Sequence, residues 1–243
     1  GVDRVLILGG RRTLVANDSD PAITIFDPNS QTVQARIVEP LMGRSDHTAV
    51  YSTLTGKIYV FGGGKDLNFS DEVLELTVTT DSAGAPLIET RLIGRLPQAQ
   101  ADAAAVEDPH TKLIYLIGGG ANQGVTRVWA FDPRVPQVFV TPIEHPRMTE
   151  SDEESRPDWF WNPSAVYDPV NRHILVIGGV RKDRDIWRIP LGDGPATPLG
   201  RWDTPASAIA DPDPESGFLP IAYPVSSIHG AQNRVLVGTS GGG

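Results

Sequence analysis

The segment Ile58-Tyr-Val-Phe-Gly-Gly63 decides the fold, because its pattern of a short β-rich run closed by glycine returns at Ile114-Tyr-Leu-Ile-Gly-Gly119, at Ile174-Leu-Val-Ile177 before Gly178, and at Val235-Leu-Val237 before Gly238. A second segment precedes each run in one fixed register. His47-Thr-Ala-Val-Tyr-Ser52, Ala103-Ala-Ala-Val-Glu-Asp108, Pro163-Ser-Ala-Val-Tyr-Asp168 and Tyr223-Pro-Val-Ser-Ser-Ile228 are each followed by nine residues and then by Gly62, Gly118, Gly178 or Gly238. Turn formers open the nine: Thr55-Gly56, Asp108-Pro109, Asp168-Pro-Val-Asn171 and Gly230-Ala231. Each copy therefore reads as strand, hairpin turn, buried strand and glycine stop.

A fifth run, Val5-Leu-Ile-Leu8 before Gly9-Gly10, stands without the preceding segment. Third strands are expected at Ile23–Pro28, Val73–Leu76, Val128–Pro133 and Ile186–Pro190, and fourth strands at Thr32–Val38, Ile88–Ile93, Gln137–Ile143 and Ala196–Trp202. Pro198 confines the last of these to a sheet edge. Four antiparallel strands returning every 50 to 60 residues fit the blade of a β-propeller better than a β-sandwich, whose strands would not hold one spacing through four copies.

With Val128-Trp-Ala-Phe-Asp132 and Asp185-Ile-Trp187 following the double-glycine runs, nearly the whole chain resembles the kelch repeat. It departs from that pattern at Leu74, where Trp belongs, and at the single Gly238. The resemblance implies an all-β, kelch-type β-propeller of four-stranded antiparallel blades forming one domain over 1–243, with blade segments 1–46, 47–102, 103–162, 163–222 and 223–243. The first and last segments are incomplete. Four to five blades are expected here, within a six- or seven-bladed ring completed by a longer polypeptide, the alternative being a degenerate five-bladed ring.

Composition narrows the function. Among 243 residues, 25 Gly and 21 Pro favour short elements and tight turns over long helices. A net charge of −9 argues against a nucleic-acid surface. No apolar run is long enough to span a membrane. The absence of Cys removes disulfides, thiolate nucleophiles and Cys-ligated metals. Sequons at Asn17 and Asn68 mark these as glycosylation candidates and point to an extracellular or cell-surface protein, with a cytoplasmic location as the alternative.

Chemical motifs fail on inspection. Gly238-Thr-Ser-Gly-Gly242 matches the nucleophile-elbow pattern without room for a following helix. Gly62-Gly-Gly-Lys-Asp66 lacks the Ser or Thr and the spaced glycine of a phosphate loop. The five His share no metal-ligand spacing, and the acidic runs Glu150–Glu154 and Asp211–Glu215 read as solvated loops. No cofactor, metal or catalytic residue is expected.

Strand polarity supplies a site instead. In an antiparallel blade the loop leading into the first strand and the loop leaving the second share one face. These loops vary most in length, and variable loops on a fixed scaffold carry binding. They hold Arg11, Arg12, Lys65, Asn122, Gln123, Arg181 and Lys182 after the glycines, with Arg44, Trp159 and Trp161 on the leading loops. The reading is a non-catalytic binding or structural propeller that takes a protein or peptide, of acidic character, on that face. A carbohydrate ligand stays open. The resemblance carries an alternative, a sugar-active enzyme similar to sialic-acid epimerases, for which Arg44, Asp46 and His47 are the acid–base candidates.

Overall fold

The computed structural model describes residues 5–10, 19–39, 42–65, 68–120, 128–135, 139–143, 163–177, 185–191, 197–201, 223–230 and 234–240. They form nineteen β-strands. The first sheet comprises β1 (Val5–Leu8), β2 (Ala22–Asp27) and β3 (Thr32–Val38), in that order. The second takes β4 (Thr48–Ser52), β5 (Lys57–Phe61), β8 (Glu72–Thr80) and β9 (Pro86–Arg95) in the order β4-β5-β8-β9. A two-stranded ladder of β6 (Gly64–Lys65) and β7 (Asn68–Phe69), absent from the sequence expectation, interrupts it.

Two further four-stranded sheets run in sequence order: β10 (Ala101–Glu107), β11 (Ile114–Gly120), β12 (Val128–Phe131) and β13 (Phe139–Ile143), then β14 (Ser164–Asp168), β15 (His173–Ile177), β16 (Asp185–Pro190) and β17 (Thr197–Arg201). Pro198 lies on β17, an edge strand among the described residues, as expected of a proline in a sheet. A final pair, β18 (Tyr223–Gly230) and β19 (Arg234–Ser240), carries a register shift between Val225 and Ile228. The departure at Leu74 has not shortened its sheet, since β8 is nine residues long.

The chain divides into two compact units. In the first, spanning 1–101 with 109–113 and 131–139, the period of two in β1 turns Leu6 and Leu8 onto a core of Ile23, Met42, Val60, Leu74 and Leu76. The opposite face of β5 carries Tyr59 and Phe61, which pack at 5.1 and 5.3 Å from the Phe131 ring. Both faces of the second sheet are thus covered. In the second unit, burial and then the Asp108 carboxylate raise the pKa of Tyr167 above its ordinary value.

The double glycines dictate how sheets follow one another. Gly10 N–H donates to the Arg44 carbonyl at 3.1 Å, and Gly63 N–H donates to the Gln100 carbonyl at 2.9 Å, the same register one copy later. Gly63 (φ +100°) brings its backbone so close that an added Cβ would stand 2.6 Å from Ser45 O and 2.9 Å from His47 Cβ. Gly10 (φ +105°) has nothing among the described residues within 4 Å of an added Cβ. Comparing the two separates conformation from space. Gly10→Ala should cost only the left-handed strain of about 1–2 kcal/mol, and Gly63→Ala roughly 2 kcal/mol more, from overpacking. Urea unfolding of both variants checks this, and equal losses would rule out close approach as the reason for glycine.

Candidate functional site

The leading loop of the second sheet, residues 42–47, brings the described part of the site together. Met42 N–H donates to Glu39 O, and Arg44 N–H to Met42 O, which winds the chain tightly before β4. Ser45 and Gly64 then exchange backbone hydrogen bonds, Ser45 N–H to Gly64 O at 3.0 Å and Gly64 N–H to Ser45 O at 2.7 Å. This bridge joins the leading loop to the start of the post-glycine segment, so that the two loops form one surface, as strand polarity requires. The β6–β7 ladder stands on it and leaves Asn68 and Phe69 exposed, the latter at 39%.

Arg44 departs from its expected place on the open face. Its side chain is fully buried. One guanidinium nitrogen donates to Gly62 O at 3.0 Å, and another pairs with Glu72 Oε2 at 2.6 Å. Burial demands such pairing, because an unpaired charge out of water costs several kcal/mol. Arg44 therefore ties the leading loop to the glycine stop and to β8, and offers no stacking surface.

Asp46 follows with φ +56°, accepting from Ser45 Oγ at 2.8 Å; Asp102 repeats that backbone conformation at φ +60° one copy later. His47 is half-buried, with Nδ1 sealed from solvent and without a hydrogen-bond partner among the described residues. Burial first, and then the Arg44 guanidinium, lower its pKa to about 4, against the opposing pull of Asp46 and of the Arg44 and Leu8 carbonyls. At neutral pH the ring is uncharged. The Gln100 amide nitrogen, in the register position of Arg44, is likewise buried without a partner among the described residues.

A charged cluster on the second sheet was not foreseen from sequence. Glu75, directly across from Tyr59 on β5 and Arg91 on β9, accepts from Lys57 Nζ at 2.8 Å and from Arg91 at 3.0 Å. With Thr77 and Glu89 these residues line a cavity of about 110 Å³. Cross-strand register was the signal that would have found it, since Lys57, Glu75 and Arg91 are same-face residues of three neighbouring strands. Among the described residues, no group of three or more His, Asp or Glu side chains is arranged to hold a metal, and no helix is long and apolar enough to cross a membrane.

Of the other expected site residues, Lys65 lies on β6 beside the Ser45–Gly64 bridge. Arg11, Arg12, Asn17, Asn122, Gln123, Trp159, Trp161, Arg181 and Lys182 lie outside the described residues.

No family model matches the chain, and no curated protein matches it. Among solved structures it is similar to YjhT, with 15% sequence identity and a TM-score of 0.53, over 76% of this chain and 60% of that one. The chain thus spans less than two thirds of the YjhT structure. The likeness is one of fold: an all-β chain of repeated four-stranded antiparallel sheets, consistent with a propeller-like arrangement.

Proposed function

We propose that the chain is a kelch-type propeller segment of four to five blades, a binding module that takes a protein or peptide on the face built by its leading and post-glycine loops. The observation that carries this reading is the Ser45–Gly64 bridge, which fuses one loop of each kind into a single surface bearing exposed Phe69. An apolar ring on β7 and a cationic residue, Lys65, on its paired strand β6, with Arg12 and Arg181 at the corresponding sequence positions of other copies, suit an acidic segment with an apolar anchor.

Acid–base chemistry on a sugar is the weaker reading. Arg44, its expected cation, is committed to Gly62 O and Glu72. Panning a displayed random-peptide library on the full chain tests the binding reading. Enriched peptides should be acidic and lose at least tenfold in affinity when Phe69→Asp and Lys65→Glu are combined, while Tyr51→Asp, at the hairpin end of β4, leaves affinity unchanged. Peptides indifferent to the first pair would refute the face. A tenfold faster interconversion of N-acetylneuraminic acid anomers, lost in His47→Ala, would transfer the site to catalysis.

His47 also sets a pH dependence. Its folded pKa of about 4 lies below the ordinary 6.5, so the unfolded chain binds the proton more readily. Stability is complete above the unfolded value and falls as pH drops from 6.5 toward 4, by on the order of 2–3 kcal/mol. Urea midpoints at pH 7 and pH 4.5 should diverge in the wild type and converge partly in His47→Ala; an unchanged pH slope would show that other groups carry it.

A further inference from the structure

The second sheet ends at its fourth strand, β9, as the sheets beyond it end at β13 and β17, so the repeat itself supplies no further strand on that edge. The three edges differ in sequence. Pro142 interrupts β13 and Pro198 interrupts β17, and a proline blunts an edge against pairing. β9 runs for ten residues with its proline, Pro86, at the first position. Asp81 N–H donates to Ala85 O at 2.8 Å, in the register that pairs Thr79 with Leu87, Thr77 with Glu89 and Glu75 with Arg91. Alternation then turns the backbone groups of Leu87, Glu89 and Arg91 toward β8 and those of Ile88, Thr90 and Leu92 outward. Pro86, which has no N–H to give, falls in the outward set. Among the described residues the outward groups of Ile88, Thr90 and Leu92 have no partner.

The side chains of this edge are complementary to their own reversal. Leu87-Ile88-Glu89 precedes Thr90 and Arg91-Leu92-Ile93 follows it. Laid antiparallel on a second β9 with Thr90 against Thr90, the strand sets Ile88 against Leu92 and Glu89 against Arg91 on both sides of the axis. The first pair and Thr90 itself fall at hydrogen-bonded positions; Glu89 and Arg91 fall at non-hydrogen-bonded ones, where side chains come closest. Both charges are available: Glu89 is exposed and makes no ion pair among the described residues, and Arg91, though bonded to Glu75, keeps 64% of its side chain in solvent. Leu87 and Leu92 are 50% and 42% exposed. Only one register is favourable. A shift of two residues either way sets Glu89 on Glu89 or Arg91 on Arg91, and parallel in-register pairing sets each charge on its like. β3, a proline-free outer strand, lacks this order, since reversal about Ala35 sets Gln34 against Arg36.

From this we infer that β9 is a homodimerisation edge, on which a second copy of the chain docks its own β9 antiparallel about Thr90, so that two four-stranded sheets continue as one. The contact is isologous and closes on itself, leaving no edge for a third copy. Charged residues on an edge strand ordinarily guard it against pairing. Here their order about Thr90 repels other registers and selects the same strand. The β9 edge is separate from the leading and post-glycine loops, and the inference stands whether or not that face binds.

Sedimentation equilibrium of the full 243-residue chain at up to about 0.1 mM should show monomer and dimer in exchange. Between dilute and concentrated samples, hydrogen exchange at the Ile88, Thr90 and Leu92 amides should slow at least tenfold while that at Leu87, Glu89 and Arg91 keeps its rate. Glu89→Arg and Arg91→Glu should each weaken self-association at least tenfold, yet the two variants mixed should form a heterodimer, because every Arg then faces a Glu. Arg91→Glu also takes a partner from Glu75; if it does not fold, Glu89→Arg decides alone, since Glu89 makes no ion pair among the described residues. A chain that stays monomeric, a dimer indifferent to Glu89→Arg, or concentration-dependent protection at Leu87 and Glu89 in place of Ile88 and Thr90 would overturn the proposal. Phe69→Asp should leave association intact; its loss in that variant would move the contact to the loop face and overturn the proposal too.

Discussion

The contact on which the described part of the first unit depends is the approach of one backbone to another at the double glycines. Gly10 and Gly63 each point an N–H at a carbonyl three residues before the repeated segment, opening at His47 or Ala103, of the next copy along the chain. That hydrogen bond needs φ near +100° and no side chain at Gly63, because the space a Cβ would fill is already held by Ser45 and His47. Once made, it fixes where the next sheet starts. The apolar alternation of β1 and β5 then decides which faces meet, and Leu6, Leu8 and Val60 fall onto one core.

Arg44 builds on that constraint. The carbonyl it presents receives Gly10 N–H, while its guanidinium reaches forward to Gly62 O and Glu72. A single residue thus joins the glycine stops of two consecutive copies. Its charge also acts on its neighbour: burial first, and then the Arg44 guanidinium, keep His47 neutral well below the ordinary range.

Strand positions were legible in the sequence because each rests on local rules: alternation of apolar residues, turn formers, and glycine where only glycine fits. The fourth strand of the second sheet ran longer than expected, Pro86–Arg95 rather than Ile88–Ile93, since pairing with the nine-residue β8 extended it beyond its own apolar pattern. The β6–β7 ladder was not legible, for Gly64, Lys65 and Asn68 have little β-propensity and are organised by a bridge to Ser45. Arg44 was misplaced for a related reason. A cation on a loop reads as solvated, and only the fold brings it to a carboxylate 28 residues away. What sequence did convey about the site was polarity of the strands, which put leading and post-glycine loops together.

Every four-stranded sheet is assembled from strands that neighbour one another in sequence, apart from the small β6–β7 excursion. Loop closure within each sheet is therefore short, and the entropy lost in forming one is repaid by contacts made nearby in the chain. Within the first unit, the contacts of Gly10 and Gly63 then couple each sheet to the segment that opens the next. A lesion at Gly10 or Gly63 therefore loosens the link between consecutive sheets and leaves the ladder of each intact.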